Sequence, residues 1–98
     1  MTFQELDNLK GKIPLGWEIQ FREEIPYLTK KYSFESYLSG VRFVNALAEI
    51  AEKMDHHPDL ILTYRMVCVE IHTHSKRTIT HLDVEFSKAA EAVKKSYL

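Results

Sequence analysis

Residues 34–58, FESYLSGVRFVNALAEIAEKMDHHP, decide the fold of this 98-residue chain. Apolar side chains recur at Phe34, Tyr37, Leu38, Val41, Val44, Leu47, Ala48, Ala51 and Met54, the spacing of one helical face. That spacing predicts a helix over residues 35–54, with Ser33 as a cap near its start. Proline disfavours helical backbone at the residue before it, so the helix has to stop ahead of Pro58. His56 and His57 therefore fall on the turn leaving the helix, outside its core-facing stripe.

On both sides of this helix the period changes from 3.6 to two. Trp17, Ile19 and Phe21 alternate with Glu18, Gln20 and Arg22, the pattern of a strand with one buried face. Residues 23–26 read as a turn, and residues 28–34 as a second strand with Leu28, Lys30, Tyr32 and Phe34 on one face. Beyond the helix, residues 60–64 and 66–74 are β-rich runs meeting at Arg65. Two strands are expected there, although no Gly or Asn marks a turn and one bent strand is the alternative. Val67, Val69, Ile71 and Thr73 share one face of the last run; Met66, Cys68, Glu70, His72 and His74 share the other. Residues 2–10, with Phe3, Leu6 and Leu9, read as a short helix, and residues 12–16, with Pro14 and Gly16, as a loop. A last helix begins near Thr80, its stripe formed by Leu82, Phe86, Ala89, Val93 and Tyr97. The order α-β-β-α-β-β-α is that of an α+β fold: a four-stranded antiparallel sheet with helices packed on one face. Residues 1–98 form one domain.

Composition narrows the function classes. A 45% hydrophobic chain with 11% aromatic residues can build one real core. Thirteen basic and fourteen acidic side chains, well mixed, leave a net charge of −1, which provides no footprint for nucleic acid or an anionic membrane. The start, MTFQELDNLKGK, carries Glu5 and Asp7 and no apolar run, so neither a signal nor a transit peptide is expected. No stretch approaches the ~20 apolar residues of a membrane span. Cys68 is the single cysteine, which rules out an internal disulfide and suits a reducing, cytoplasmic setting. A domain this small buries a limited share of its surface, and oligomerisation is a common remedy.

Chemistry concentrates in His56-His57-Pro58, Tyr64, Thr73-His74 and Asp83. Histidine, with an ordinary pKa of about 6.5, exchanges protons near neutrality. A helix-end turn can contain histidines for purely local reasons, but Pro58 stiffens this one, which suits a catalytic group. His74 closes a strand. Asp83 follows Thr80 by three residues, a capping-box spacing with Asp in place of Glu, and a first-turn acid can also orient a histidine or bind a substrate N–H. Tyr64 is either a core aromatic or a lid over a planar ligand. His72 and His81 read as solvated or helix-start residues. No metal is expected: His72-x-His74 could chelate, but HExxH and CxxC are absent, and adjacent His56 and His57 cannot easily share a tetrahedral ion. Cys68 sits mid-strand, where a buried thiol is usually inert.

Together these residues resemble the pterin-4a-carbinolamine dehydratase family. The pattern is Glu52, three residues, His56-His57-Pro58, Tyr64, His74 and Asp83, each at a permitted gap. Gly16-Trp17, the aromatics Tyr32, Phe34 and Tyr37, and Ala51-Glu52-Lys53 extend the likeness over residues 16–94. One departure is the segment before Asp83, where the family often carries glycine and this chain reads SKRTITH, basic and glycine-free. The resemblance implies a 4a-hydroxytetrahydrobiopterin dehydratase, a carbon–oxygen hydro-lyase making quinonoid dihydropterin and water in tetrahydrobiopterin recycling. No metal or organic cofactor is implied, and a homodimer or homotetramer is. His57 is assigned to binding and proton abstraction, His56 and His74 to acids toward the departing hydroxyl, and Asp83, Tyr64 and Pro58 to the substrate's surroundings. Which histidine serves which face of the pterin stays open.

Two other classes compete. One is a non-catalytic dimerisation, assembly or coactivator module on the same fold, against which the intact His56, His57, His74 and Asp83 argue. The other is work on another pterin, such as in molybdopterin metabolism.

Overall fold

Phe34 settles where the long helix begins: its N–H donates to Arg65 O at 2.8 Å, which keeps the chain extended to that point. In the computed structural model, helix α2 therefore runs Tyr37–Met54 and caps on Ser36, whose Oγ accepts from Ser39 N at 3.2 Å. Ser33, the expected cap, is the last residue of a strand instead. The structure describes residues 2–96 without the Phe3 side chain, so Phe3 and Tyr97, expected in the apolar stripes, lie outside what is described.

The other elements are α1 (Phe3–Lys10), β1 (Glu18–Arg22), β2 (Ile25–Ser33), β3 (Asp59–Leu62), β4 (Met66–Ile71) and α3 (His81–Ser96), in the expected α-β-β-α-β-β-α order. The sheet is antiparallel throughout, in the order β1-β2-β4-β3. Register places Leu28 opposite Ile71 and Tyr32 opposite Val67, so these four face the same side. They bury against Phe43, Leu47 and Ala51 of α2 and Val84, Phe86 and Ala90 of α3. Each large side chain withdrawn from water there stabilises the fold by roughly 1.5–3 kcal/mol. Gly40 lets α2 lie close on the sheet: a Cβ there would stand 3.1 Å from Leu62 Cδ1.

The hairpin β1–β2 turns in two residues rather than over 23–26. Arg22 pairs with Ile25, and Glu23 and Glu24 both take left-handed φ, 50° and 69°. Positive φ at both turn positions matches the right-handed twist of the flanking strands. Pro26 thus lies inside β2, opposite Phe21; pairing with β4 begins only at Leu28, so β2 is still a free edge on that side at Pro26. Phe21, expected inside, is 54% exposed at the outer strand. Between β3 and β4 the chain does turn, with Thr63 N donating to Met66 O at 2.8 Å, so these are two strands. β4 ends at Ile71 rather than continuing to His74, because the chain folds into a 3₁₀ turn over His74–Lys76. Cys68 is half-buried on the sheet face away from the helices, 3.7 Å from Thr29 Oγ1. No helix among the described residues is long and apolar enough to cross a membrane.

Candidate active site

Asp55 aims the histidine pair. It adopts left-handed φ of 50° at the end of α2, and its N–H closes on Ala51 O and Glu52 O. The N–H of His56 then bonds Ala51 O at 3.0 Å, a Schellman-type closure that ends the helix at Met54, ahead of Pro58. Leaving this closure, successive side chains diverge. His56 goes inward and is buried; His57 stays exposed, its Nε2 2.6 Å from Glu52 Oε2 on the last turn of α2.

His56 meets Asp83, which is fully buried on the first turn of α3. His56 Nε2 lies 2.6 Å from Asp83 Oδ1. A carboxylate accepts only, so the ring donates through Nε2 and Nδ1 is left to exchange protons. The second carboxylate oxygen, Oδ2, accepts from Thr73 Oγ1 at 2.8 Å and from Thr80 N at 2.7 Å. The last bond is the acidic half of the expected capping box; the Thr80 hydroxyl serves the neighbouring donor, Leu82 N, at 3.3 Å. Thr80 Oγ1 also donates to Thr73 Oγ1 at 2.7 Å, which hands its own proton to Asp83. Three elements are thereby tied to one carboxylate: the turn after α2, the end of β4 and the start of α3.

Thr73 is buried and His74, its neighbour, is exposed, so the pair brings one anchor and one free imidazole to the same corner. Thr73 N donates to Thr78 O at 2.9 Å, closing the glycine-free segment on itself. Arg77 supplies the left-handed residue of that closure, with φ of 54°, where a glycine would be unstrained. The His74 ring packs on His72 with centroids 4.2 Å apart. His72 is therefore not the solvated residue expected from sequence; burial, then the His74 ring, hold its imidazole below the ordinary 6.5. His81 sits exposed at the first position of α3, as expected of a helix-start residue.

Not every expected site residue joins this corner. Pro58 is half-buried directly after His57. Tyr64 lies in the β3–β4 turn, at the opposite end of that hairpin from His57 and His74. It is 69% exposed, with the Arg65 guanidinium 5.2 Å over its ring. Sequence reasoning set His72 aside as solvated and missed the relay from Thr80 through Thr73. The alternation of residues 66–73 was a signal for Thr73, since it turned that hydroxyl toward the helices. Among the described residues no group of three His, Cys, Asp or Glu side chains is arranged to hold a metal ion.

Comparison with known proteins converges on one family. The family described as "Pterin 4 alpha carbinolamine dehydratase" matches residues 1–93. A protein of Metallosphaera sedula, provisionally named pterin-4-alpha-carbinolamine dehydratase, is 32% identical over 96 residues, covering 97% of this chain and 94% of its own. One of Aquifex aeolicus with the same provisional name is 34% identical, covering 97% and 87%. A crystal structure from Brucella melitensis, titled transcriptional coactivator/pterin dehydratase, superposes with a TM-score of 0.81 at 28% identity over 95% of this chain and 96% of that one. A pterin dehydratase-like protein described as a RuBisCO assembly factor in the alpha-carboxysome shares the fold, with a TM-score of 0.67 at 23% identity over 80% and 88% of the two chains.

Proposed function

Since the chain belongs to the pterin 4 alpha carbinolamine dehydratase family, we propose that it dehydrates a 4a-hydroxytetrahydropterin to the quinonoid dihydropterin by histidine acid–base catalysis. The observation that carries this reading is the convergence on Asp83: His56 bonds it, and Thr73, next to His74, bonds its other oxygen. Capping α3 accounts for the Thr80 bond, but a cap has no need to hold a buried histidine as well.

The reaction suits these groups. A proton leaves N5, the C4a–O bond breaks, and the hydroxyl takes up a proton and departs as water, leaving a C4a=N5 double bond. His57, exposed and steadied by Glu52, takes the N5 proton. One proton is delivered to the departing hydroxyl, from His74 or from His56, whose Nε2 is committed to Asp83. Each such transfer contributes about 10²–10⁴-fold. Asp83 touches no substrate atom in this scheme; it fixes the His56 tautomer and ring orientation. Pro58, directly after His57, completes the surroundings of the pterin in this scheme; Tyr64, at the far end of its hairpin, takes no part in it.

The physiological setting proposed is tetrahydrobiopterin recycling in the cytoplasm, by a homodimer or homotetramer. Leu38 and Tyr37, 62% and 48% exposed at the start of α2, are the kind of surface that assembly covers. Sedimentation at micromolar concentration should then show no substantial monomer.

The deciding experiment is turnover. Purified protein added to freshly generated 4a-carbinolamine should speed loss of its absorbance, and His57→Ala and His74→Ala should slow it. No acceleration by the wild-type chain, or variants as fast as wild type, would sink the catalytic reading in favour of the binding module.

A further inference from the structure

His72 is the titratable group at this corner that the mechanism above leaves unused. It follows the last residue of β4 and, through the strand's alternation, lies on the same side as His74 while Thr73 between them turns inward to Asp83. The two rings are tilted by 56° with centroids 4.2 Å apart. His74 stands on an exposed 3₁₀ turn, and no hydrogen bond to its ring exists among the described residues. The His72 ring is the side chain that packs on it.

We propose that His72 is a positioning residue for the dehydration site, seating the His74 imidazole and restricting the two close rings to one mobile proton. The proposal rests on the dehydratase reading for its consequence and on the ring pair for its geometry.

Two imidazoles this close resist a second proton, because the second charge would face the first. The groups around His72 decide which ring stays neutral. His74 faces it from the 3₁₀ turn, Asp83 from α3, Asp59 from β3 and Arg22 from β1. Glu23 of the hairpin turn and Tyr27 of β2 line, together with His72, a cavity of about 120 Å³. Burial is the largest influence and, with His74 and Arg22, lowers the His72 pKa, while the two aspartates favour its charged form. His74, the exposed ring of the pair, is the one that can meet a departing hydroxyl. A second proton, arriving at lower pH, charges both rings and pushes them apart.

Two variants separate packing from titration. His72→Ala removes both, and kcat at neutral pH should fall about tenfold with KM changed less than about twofold, since only the acid's placement is lost. His72→Phe keeps a ring of similar size, so it should recover most of kcat while moving the acid limb of the pH–rate profile to lower pH. NMR provides a readout independent of turnover: the His74 ring protons should titrate in two steps in the wild type and in one step in His72→Phe. A wild-type His74 signal that titrates in one step overturns the proposal. So does His72→Ala with the wild-type rate and profile, or His72→Phe with an unmoved acid limb. Should His72→Ala fail to fold, the size-conserving His72→Phe carries both readouts. A wild-type chain that accelerates nothing defeats the dehydratase reading instead, and the two-step titration still decides whether the rings share a proton.

Discussion

Asp83 Oδ1 and His56 Nε2, 27 residues apart in sequence, stand 2.6 Å from each other in the interior, and the same carboxylate draws Thr73 and Thr80 to that corner. The carboxylate is fully buried, so it has to be saturated by donors, and it is: a ring N–H, a threonine hydroxyl and a helix-start N–H. One group thereby caps α3 and orients a histidine, the two roles that the sequence left side by side.

Asp83→Asn keeps the volume but replaces one acceptor oxygen with a donor that faces existing donors. It should destabilise the chain by about 1–3 kcal/mol in urea unfolding. It should also lower kcat by about 10–100-fold, because the His56 tautomer is no longer held. Unchanged stability and rate would remove Asp83 from both roles.

His56→Ala and His57→Ala should behave differently despite being neighbours. His57 is exposed, so its removal should cost about 10²–10⁴-fold in kcat and within about 0.5 kcal/mol in stability. His56 is buried against Asp83, and its loss should cost activity and about 2–4 kcal/mol together. Parallel kinetics and thermal melts read both.

Stability should fall in two stages as pH drops. His72 binds its proton more weakly folded than unfolded, so the unfolded chain holds more protons as pH falls below 6.5, and stability declines there. At Glu91 burial would raise the carboxyl, but hydrogen bonds from Lys30, Tyr32 and Trp17 outweigh it and hold it below 4.5. That contribution is complete above about 4.5 and lost as pH falls through the depressed value. Urea midpoints from pH 7 to 3 should show the lower stage diminished in Glu91→Gln and the upper one in His72→Phe.

Glu23 and Glu24 occupy two left-handed turn positions that favour Asn and Gly. The double change Glu23→Asn with Glu24→Gly should stabilise the chain by about 1 kcal/mol, read as a higher melting temperature. A lower melting temperature would mean that the acidic pair makes a contribution beyond the turn.

Local patterns were legible where burial is periodic. The stripe from Val41 to Met54 announced α2, and the alternation from Val67 to Thr73 announced both β4 and the inward threonine. Boundaries were illegible where a distant partner sets them. Ser33 was the expected cap, but Arg65 O claims the Phe34 N–H and the helix caps on Ser36 instead. The turn over 23–26 looked as long as its proline suggested until strand pairing admitted Pro26 at a free edge.

By itself the sequence determined the α+β order, the helix stop ahead of His56, and the spacing that marks the family, because these depend on residues within a few turns of one another. The tertiary structure alone decided which histidines meet which acid. His56 turned inward to Asp83 and His57 outward to Glu52; His72 came to rest on His74, and Tyr64 at the far end of its hairpin. The reason is that a side chain's partner is set by the packing of α2, α3 and the sheet around one buried carboxylate, and no spacing along the chain encodes that distance.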